Sequence, residues 1–272
     1  MKVFVIDVAK CNGCYGCQVS CKDEHCDNEW LPYAKIQPET GHFWMKINEK
    51  VMGSVPKVKM SYVATPCMHC ENAPCMEATK NGSVYRREDG LVIIDPEKSK
   101  GQKQLVDACP YGAIYWNEKL QLPQKCTGCA HLVDEGKIPR CMDSCPTDAI
   151  KFGEEAELAE LIGKAEVMKP ELGLRPRVYY LNLPKNFVAG AVFDPIEDEC
   201  LKDAKVTLTD VGKSKDYVAT TDSFGDFWFK RLEAGTYALK VEKEGFCPFS
   251  MKSFEITEST NVGDIALNKM LD

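Results

Sequence analysis

Past Phe187 apolar and polar residues alternate with a period of two, which turns one face of a strand to a core and the other to water. The alternation predicts strands over Val188–Phe193, Val206–Thr209, Tyr217–Thr221, Asp226–Phe229, Thr236–Glu242, Ser253–Ile256 and Val262–Leu267. Turn residues separate them at short intervals, so a seven-stranded all-β sandwich is expected over 187–272. Before that point the pattern differs. Short apolar strands are expected at Lys2–Val8, Leu91–Asp95, Ala113–Trp116 and Ala149–Phe152, with short helices at Gln18–His25 and Gln104–Ala108. Leu158, Leu161, Ile162 and Ala165 stand at helical spacing and predict a helix over Glu154–Ala165. Its start, Glu154-Glu155-Ala156-Glu157, carries the negative charge that suits a helix N-terminus. Lys169-Pro170, Arg175-Pro176 and Leu183-Pro184 then mark an extended connection. The expected organisation is a domain over 1–153, a helix and linker over 154–186, and the sandwich.

Composition narrows the function. The 272 residues fit about two domains, and the net charge of −7 provides no positive field for nucleic acid. No apolar run nears the ~18–20 residues that span a bilayer, so no direct membrane insertion is expected. Met1–Cys11 lacks a twin arginine, a long apolar region and a small-residue cleavage site. A cytoplasmic location follows as the expectation, with export beside a signal-bearing partner as the alternative. No Ser/His/Asp arrangement, P-loop or dinucleotide fingerprint is present, so no catalytic residue is expected on this chain.

The cysteines change the picture most. Of fifteen, thirteen fall within residues 11–145. The opening run Cys11-x2-Cys14-x2-Cys17-x3-Cys21 matches the spacing with which bacterial ferredoxins hold [4Fe–4S] clusters. Further on stand Cys67-x2-Cys70-x4-Cys75, then Cys109-Pro110, then Cys126-x2-Cys129-x11-Cys141-x3-Cys145-Pro146. Strand, Cys loop, short helix and Cys-Pro are the parts of a two-cluster ferredoxin. Two such units are expected to be nested, with 31–66 an insertion that supplies no ligand. The fold class expected is therefore α+β, a nested ferredoxin-like domain followed by the sandwich. Paired cysteines also make zinc knuckles, but three Cys within seven residues closed by a distant Cys-Pro suit a cubane better.

This layout resembles the iron–sulfur electron-transfer subunit of the dimethyl-sulfoxide-reductase family of molybdopterin oxidoreductases. Members of that family carry four Cys motifs and four [4Fe–4S] clusters; motif one trades its fourth Cys with motif four, and motif two with motif three. Two departures stand out. Thr79 occupies the position of motif two's fourth Cys, and Pro96–Gln104 lacks the three Cys of motif three. Under the family's exchange rule both losses belong to one cluster. The resemblance then implies three clusters: Cys11, Cys14, Cys17 and Cys145; Cys126, Cys129, Cys141 and Cys21; and Cys67, Cys70, Cys75 and Cys109. It also implies a heterodimer whose large catalytic partner binds molybdenum and pterin guanine dinucleotide. Thr65–Cys75, Asp107–Gly112 and the C-terminal sandwich resemble the members that transfer hydroxyl groups between polyphenols. The alternatives are the electron-transfer subunit of a reductive catechol dehydroxylase or another anaerobic molybdenum reductase, and, more remotely, a free polyferredoxin. Thr220–Phe227 and Leu232–Tyr237 resemble a prealbumin-like, carboxypeptidase-regulatory-like sandwich, read as a packing or docking module.

Several residues stay outside the ligand sets. Cys26 is expected as a buried thiol near the first set, and Cys200 and Cys247 as free buried thiols, with pairing across the sandwich as the alternative. His69 and His131 flank ligand cysteines and either hydrogen-bond a cluster sulfide or pack; His25 and His42 have no assigned role. Lys98, Lys100 and Lys103 form a solvated loop or a docking point for an acidic partner. Trp30, Trp44 and Trp116 are expected to pack.

Overall fold

The computed structural model describes residues 1–79 and 81–270. The chain divides into two compact units, Met1–Glu49 with Ser61–Leu183, and Lys50–Met60 with the chain from Pro184 onward.

In the first unit Lys2–Asp7 is the middle strand of three. Val3, Phe4, Val5 and Ile6 are all buried, the continuous apolar run of a strand covered on both faces. Ile150–Glu154 pairs with it antiparallel, Phe4 opposite Phe152, and Val178–Leu181 pairs parallel, Phe4 opposite Val178. Two small antiparallel pairs, Val84–Arg86 with Val92–Ile94 and Tyr115–Asn117 with Leu122–Gln124, complete the local framework. The α-helices are few and short. Gly16–Cys26 runs for eleven residues, and Pro74–Glu77, Gln104–Asp107, Ala130–Asp134, Arg140–Asp143 and Ala159–Ile162 run for four or five. The core of this unit mixes aliphatic side chains with cysteines.

The second unit is a pair of sheets. Asn186–Asp194 lies between Glu199–Cys200 and Asp226–Leu232, and Thr260–Ala266 joins it in parallel. The other sheet has the order Lys215–Thr220, Lys205–Asp210, Gly235–Glu242, Phe249–Ile256. Val188, Val192, Val206, Leu208, Phe227 and Leu239 share one core, and each such side chain contributes about 1.5–3 kcal/mol by leaving water. Tyr237 is buried with them and its hydroxyl donates to the Glu233 carbonyl at 3.0 Å.

Four expectations need correction. Only Ala159–Ile162 of the expected helix Glu154–Ala165 is helical. Glu154 ends a strand instead, where its carboxylate receives the N-terminal ammonium at 2.5 Å and Lys2 at 3.0 Å. Strand pairing there prevails over helix propensity. The stretch expected as linker is part of the first unit: Val178 and Tyr180 are fully buried in its sheet, and the Tyr180 hydroxyl donates to the Ala64 carbonyl at 3.0 Å. The sandwich gains an eighth strand, Glu199–Cys200. The segment 31–66 holds a hairpin, Lys46–Ser54 with Lys57–Thr65, whose tip Lys50–Met60 belongs to the second unit. Gly53 is required in that tip: φ is +82°, and a Cβ would stand 2.3 Å from the Lys57 carbonyl and 2.5 Å from the Phe187 ring. Met52 packs with Phe187 and Ala189, and the largely buried Lys57 ammonium pairs with Asp226.

Candidate metal centres

Among the described residues of the first unit, three cavities are each lined by four thiols. Cys11, Cys14, Cys17 and Cys145 line the first, walled by Ile6, Ile47 and Ile150. Cys21, Cys126, Cys129 and Cys141 line the second, against Phe4, Trp44 and Met45. Cys67, Cys70, Cys75 and Cys109 line the third, against Val92 and Ile114. Each set draws three thiols from one local motif and the fourth from far along the sequence.

The loops reach this arrangement by a repeated backbone device. In the first Cys-x-x-Cys of each set the residue before the second Cys is left-handed: Gly13 at φ +72°, His69 at +44° and Gly128 at +65°. A Cβ on Gly13 would stand 2.6 Å from the Tyr62 ring, and one on Gly128 2.7 Å from Leu91. The turn aims backbone N–H groups at sulfur. His69 N lies 3.5 Å from Cys67 Sγ and Gly128 N 3.3 Å from Cys126 Sγ. The Cys-Pro bends do the same, with Ala113 N 3.5 Å from Cys109 Sγ and Ala149 N 3.3 Å from Cys145 Sγ. Such donors favour the thiolate form.

Burial works in the opposite direction. It pushes the thiols of Cys17, Cys70 and Cys129 up to about 12, and neighbouring thiols add to the shift. Cys75 and Cys126 are pushed to about 11, again chiefly by burial. Without a cation these groups stay neutral; with soft, positively charged metal inside the ring they become ligands. The donor set therefore fits a thiophilic metal group. Among the described residues no three His, Cys, Asp or Glu side chains converge on a single-ion position. Each set of four lines one cavity.

The polar residues sort clearly. His69 is buried, and its Nδ1 accepts the Val92 N–H at 3.0 Å. The proton of the neutral ring is therefore on Nε2, which is buried without a partner among the described residues, in a side chain lining the Cys67 cavity. His25 lines the Cys21 cavity in the other tautomer: Nδ1 donates to the Cys21 carbonyl at 2.9 Å, and burial drives the ring down to about 4. His131 is outside the cavity lining and packs, stacked on Trp30 at 4.2 Å with Nε2 3.0 Å from the Glu24 carboxylate. Lys125 is fully buried beside the Cys67 cavity, donating to the Val92 carbonyl and, at 3.1 Å, to the Cys126 carbonyl. Burial pulls its ammonium down, but the sulfurs of Cys67, Cys75 and Cys126 together hold it above the ordinary value. Sequence reasoning assigned no role to His25 or Lys125; the one signal for Lys125 was a lysine directly before a motif's first Cys.

The two departures from the four-motif pattern meet in space. The Thr79 hydroxyl lies 2.7 Å from Ser83 Oγ, 2.8 Å from Asn81 Oδ1 and 3.3 Å from Gln102 Oε1. Gln102 Nε2 donates to the Lys98 carbonyl at 2.8 Å. Lys98 and Lys103 are ion-paired with Asp95 and Glu118. Trp44 is buried, Trp30 packs on His131, and Trp116 lies under the Lys103 ammonium. His42 stacks on Tyr115 at 5.2 Å. Cys26 is half-buried and outside the three cavities. Cys200 and Cys247 are unpaired as expected but exposed, contrary to expectation. Cys200 sits on a two-residue edge strand and Cys247 in a loop, where no second layer covers them.

Comparison with known proteins gives the same picture at the level of families. Residues 58–155 match a 4Fe-4S dicluster domain, and residues 188–268 a carboxypeptidase regulatory-like domain. The sequence is 46% identical over 252 residues to the pyrogallol hydroxytransferase small subunit of Pelobacter acidigallici, covering 89% of this protein and 90% of that one. It is 32% identical to the B subunit of tetrathionate reductase from Salmonella typhimurium, over 68% of this protein and 73% of the relative. The B subunit of the anaerobic dimethyl sulfoxide reductase of Escherichia coli is 33% identical, over 64% and 87%. Among the described residues no helix is long and apolar enough to cross a membrane.

Proposed function

Because the chain belongs to the iron–sulfur electron-transfer subunits of the dimethyl-sulfoxide-reductase family of molybdopterin oxidoreductases, we propose that it holds three [4Fe–4S] clusters for a catalytic partner that transfers hydroxyl groups between polyphenols. The partner binds molybdenum and pterin guanine dinucleotide and forms a heterodimer with this protein. The supporting observation is the grouping of twelve thiols into three sets of four around separate cavities. Cys11, Cys14, Cys17 and Cys145 hold the first cluster, Cys21, Cys126, Cys129 and Cys141 the second, and Cys67, Cys70, Cys75 and Cys109 the third. When bound, such groups supply one-electron transfer. Cys109 is the informative member. Its neighbours in sequence offer no other thiol, and it lies with Cys67, Cys70 and Cys75 on one cavity. On this reading the nested two-unit arrangement accounts for that crossing, and the polar group around Thr79 and Gln102 stands where the family resemblance implies a fourth ligand set. Against single zinc ions stands the observation that among the described residues no three ligand side chains close on one ion position.

The hydroxyl-transfer reading rests on the similarity to the hydroxytransferase small subunit across nearly the whole length, sandwich included. The reductase reading has its own support, the similarity to subunits of tetrathionate and dimethyl sulfoxide reductases over about two thirds of the sequence. Hydroxyl transfer between two polyphenols has no net electron demand, whereas reduction needs a continuous donor. The purified complex is expected to turn over a polyphenol pair steadily with no external reductant. Strict dependence on reduced viologen would establish the reductase instead. A cytoplasmic location goes with this reading.

A further inference from the structure

The Cys67 cavity differs from the other two in two respects. It alone has a cation in its lining: Lys125 borders it, and no Lys or Arg lines the Cys11 or Cys21 cavity among the described residues. It alone has a ring N–H without a partner in its lining, because His69 uses Nδ1 as an acceptor and so carries its proton on the buried Nε2. His25, the histidine in the Cys21 cavity lining, donates its Nδ1 proton to a carbonyl, so its unpartnered Nε2 carries no proton.

Both placements carry an energetic cost. His69 occupies the left-handed position that Gly13 and Gly128 take in the sister loops, a conformation disfavoured for side-chain-bearing residues. Lys125 donates to two neutral carbonyls, and the charges that face it are the sulfurs of Cys67, Cys75 and Cys126. An ammonium in dry surroundings requires an anion nearby, and a thiolate-ligated cluster supplies one. A hydrogen bond to sulfur and a fixed positive charge both stabilise the reduced, more negative cluster.

We propose that His69 and Lys125 together raise the reduction potential of the group held by Cys67, Cys70, Cys75 and Cys109, so that the first electron entering this protein rests there. The inference builds on the three-cluster reading. The change is one electron added to the cluster with no bond made or broken. The result is a storage position set apart from the other two groups, whose cavity linings hold no lysine or arginine among the described residues. Both residues act as positioning groups on the potential, and neither touches substrate.

The test is an EPR-monitored dithionite titration of the anaerobically purified, iron-loaded complex, comparing wild type with His69→Gly and Lys125→Met. Glycine suits the local φ, so His69→Gly keeps the loop while deleting the donor; Lys125→Met keeps most of the apolar stem while deleting the charge. The expected result is that each variant lowers the highest of three midpoints. Lys125→Met also lowers a second midpoint by less, because the ammonium contacts the Cys126 carbonyl, and leaves the third unmoved. Should Lys125→Met fail to assemble, His69→Gly decides alone. A shift confined to a lower midpoint, no shift, or an equal shift of all three overturns the inference. Full reduction that integrates to two spins per protein overturns the three-cluster reading instead, so the two failures are distinguishable.

Discussion

The thiol group at Cys67, Cys70, Cys75 and Cys109 and the polar group at Thr79, Ser83 and Gln102 come from the same part of the sequence and meet burial in opposite ways. Burial and neighbouring thiols raise the Cys70 thiol to about 12, so the set stays neutral unless positive charge is added to draw out thiolates. The hydroxyls and amides of the second group close on each other: Ser83 is fully buried, yet its hydroxyl meets both Thr79 and Gln102. One region offers a donor set for metal; the other pairs its polar groups among themselves.

That contrast can be broken experimentally. The largest effect is expected from Cys109→Ser, which removes one corner of the third thiol set; about four iron atoms per protein should be lost or become labile, read by iron analysis of the purified complex. Retention of the full iron content would show that Cys109 is not a ligand. The converse substitution, Thr79→Cys, should add no iron at all, because the other members of its set are Pro96–Gln104 residues without sulfur; a gain of iron by the same analysis would contradict the shared-loss account. Thr79→Ala should cost about 1 kcal/mol of stability in denaturant unfolding, since Ser83 retains Gln102. Tyr237→Phe in the sandwich should cost a similar or smaller amount, for its one bond to the Glu233 carbonyl, and leave iron content unchanged.

Cysteine spacing pointed to the candidate site because in two of the three sets three thiols fall within nine residues and share a loop. The sandwich was legible for a similar reason, its alternation continuing along each strand through Val206, Leu208 and onward to Val241. What escaped depended on distant partners. The hairpin strand Lys46–Ser54 reads as Lys-Ile-Asn-Glu-Lys-Val-Met-Gly-Ser, with too little alternation to announce a strand, and it forms because its tip packs on Phe187. Glu154 looked like a helix start until the N-terminal ammonium arrived beside it. Lys125 and His25 owe their importance to burial against cavities built mostly from remote sequence, which no local pattern encodes. The exposed Cys200 and Cys247 show the reverse, an apolar preference that the topology left uncovered.

Iron and acid-labile sulfide, counted per protein in the anaerobically purified complex after correction for iron held by the partner, test the central claim most directly. The account predicts about twelve of each, three complete cubanes on twelve thiols. A value near eight or sixteen, or stoichiometric zinc in their place, would contradict it.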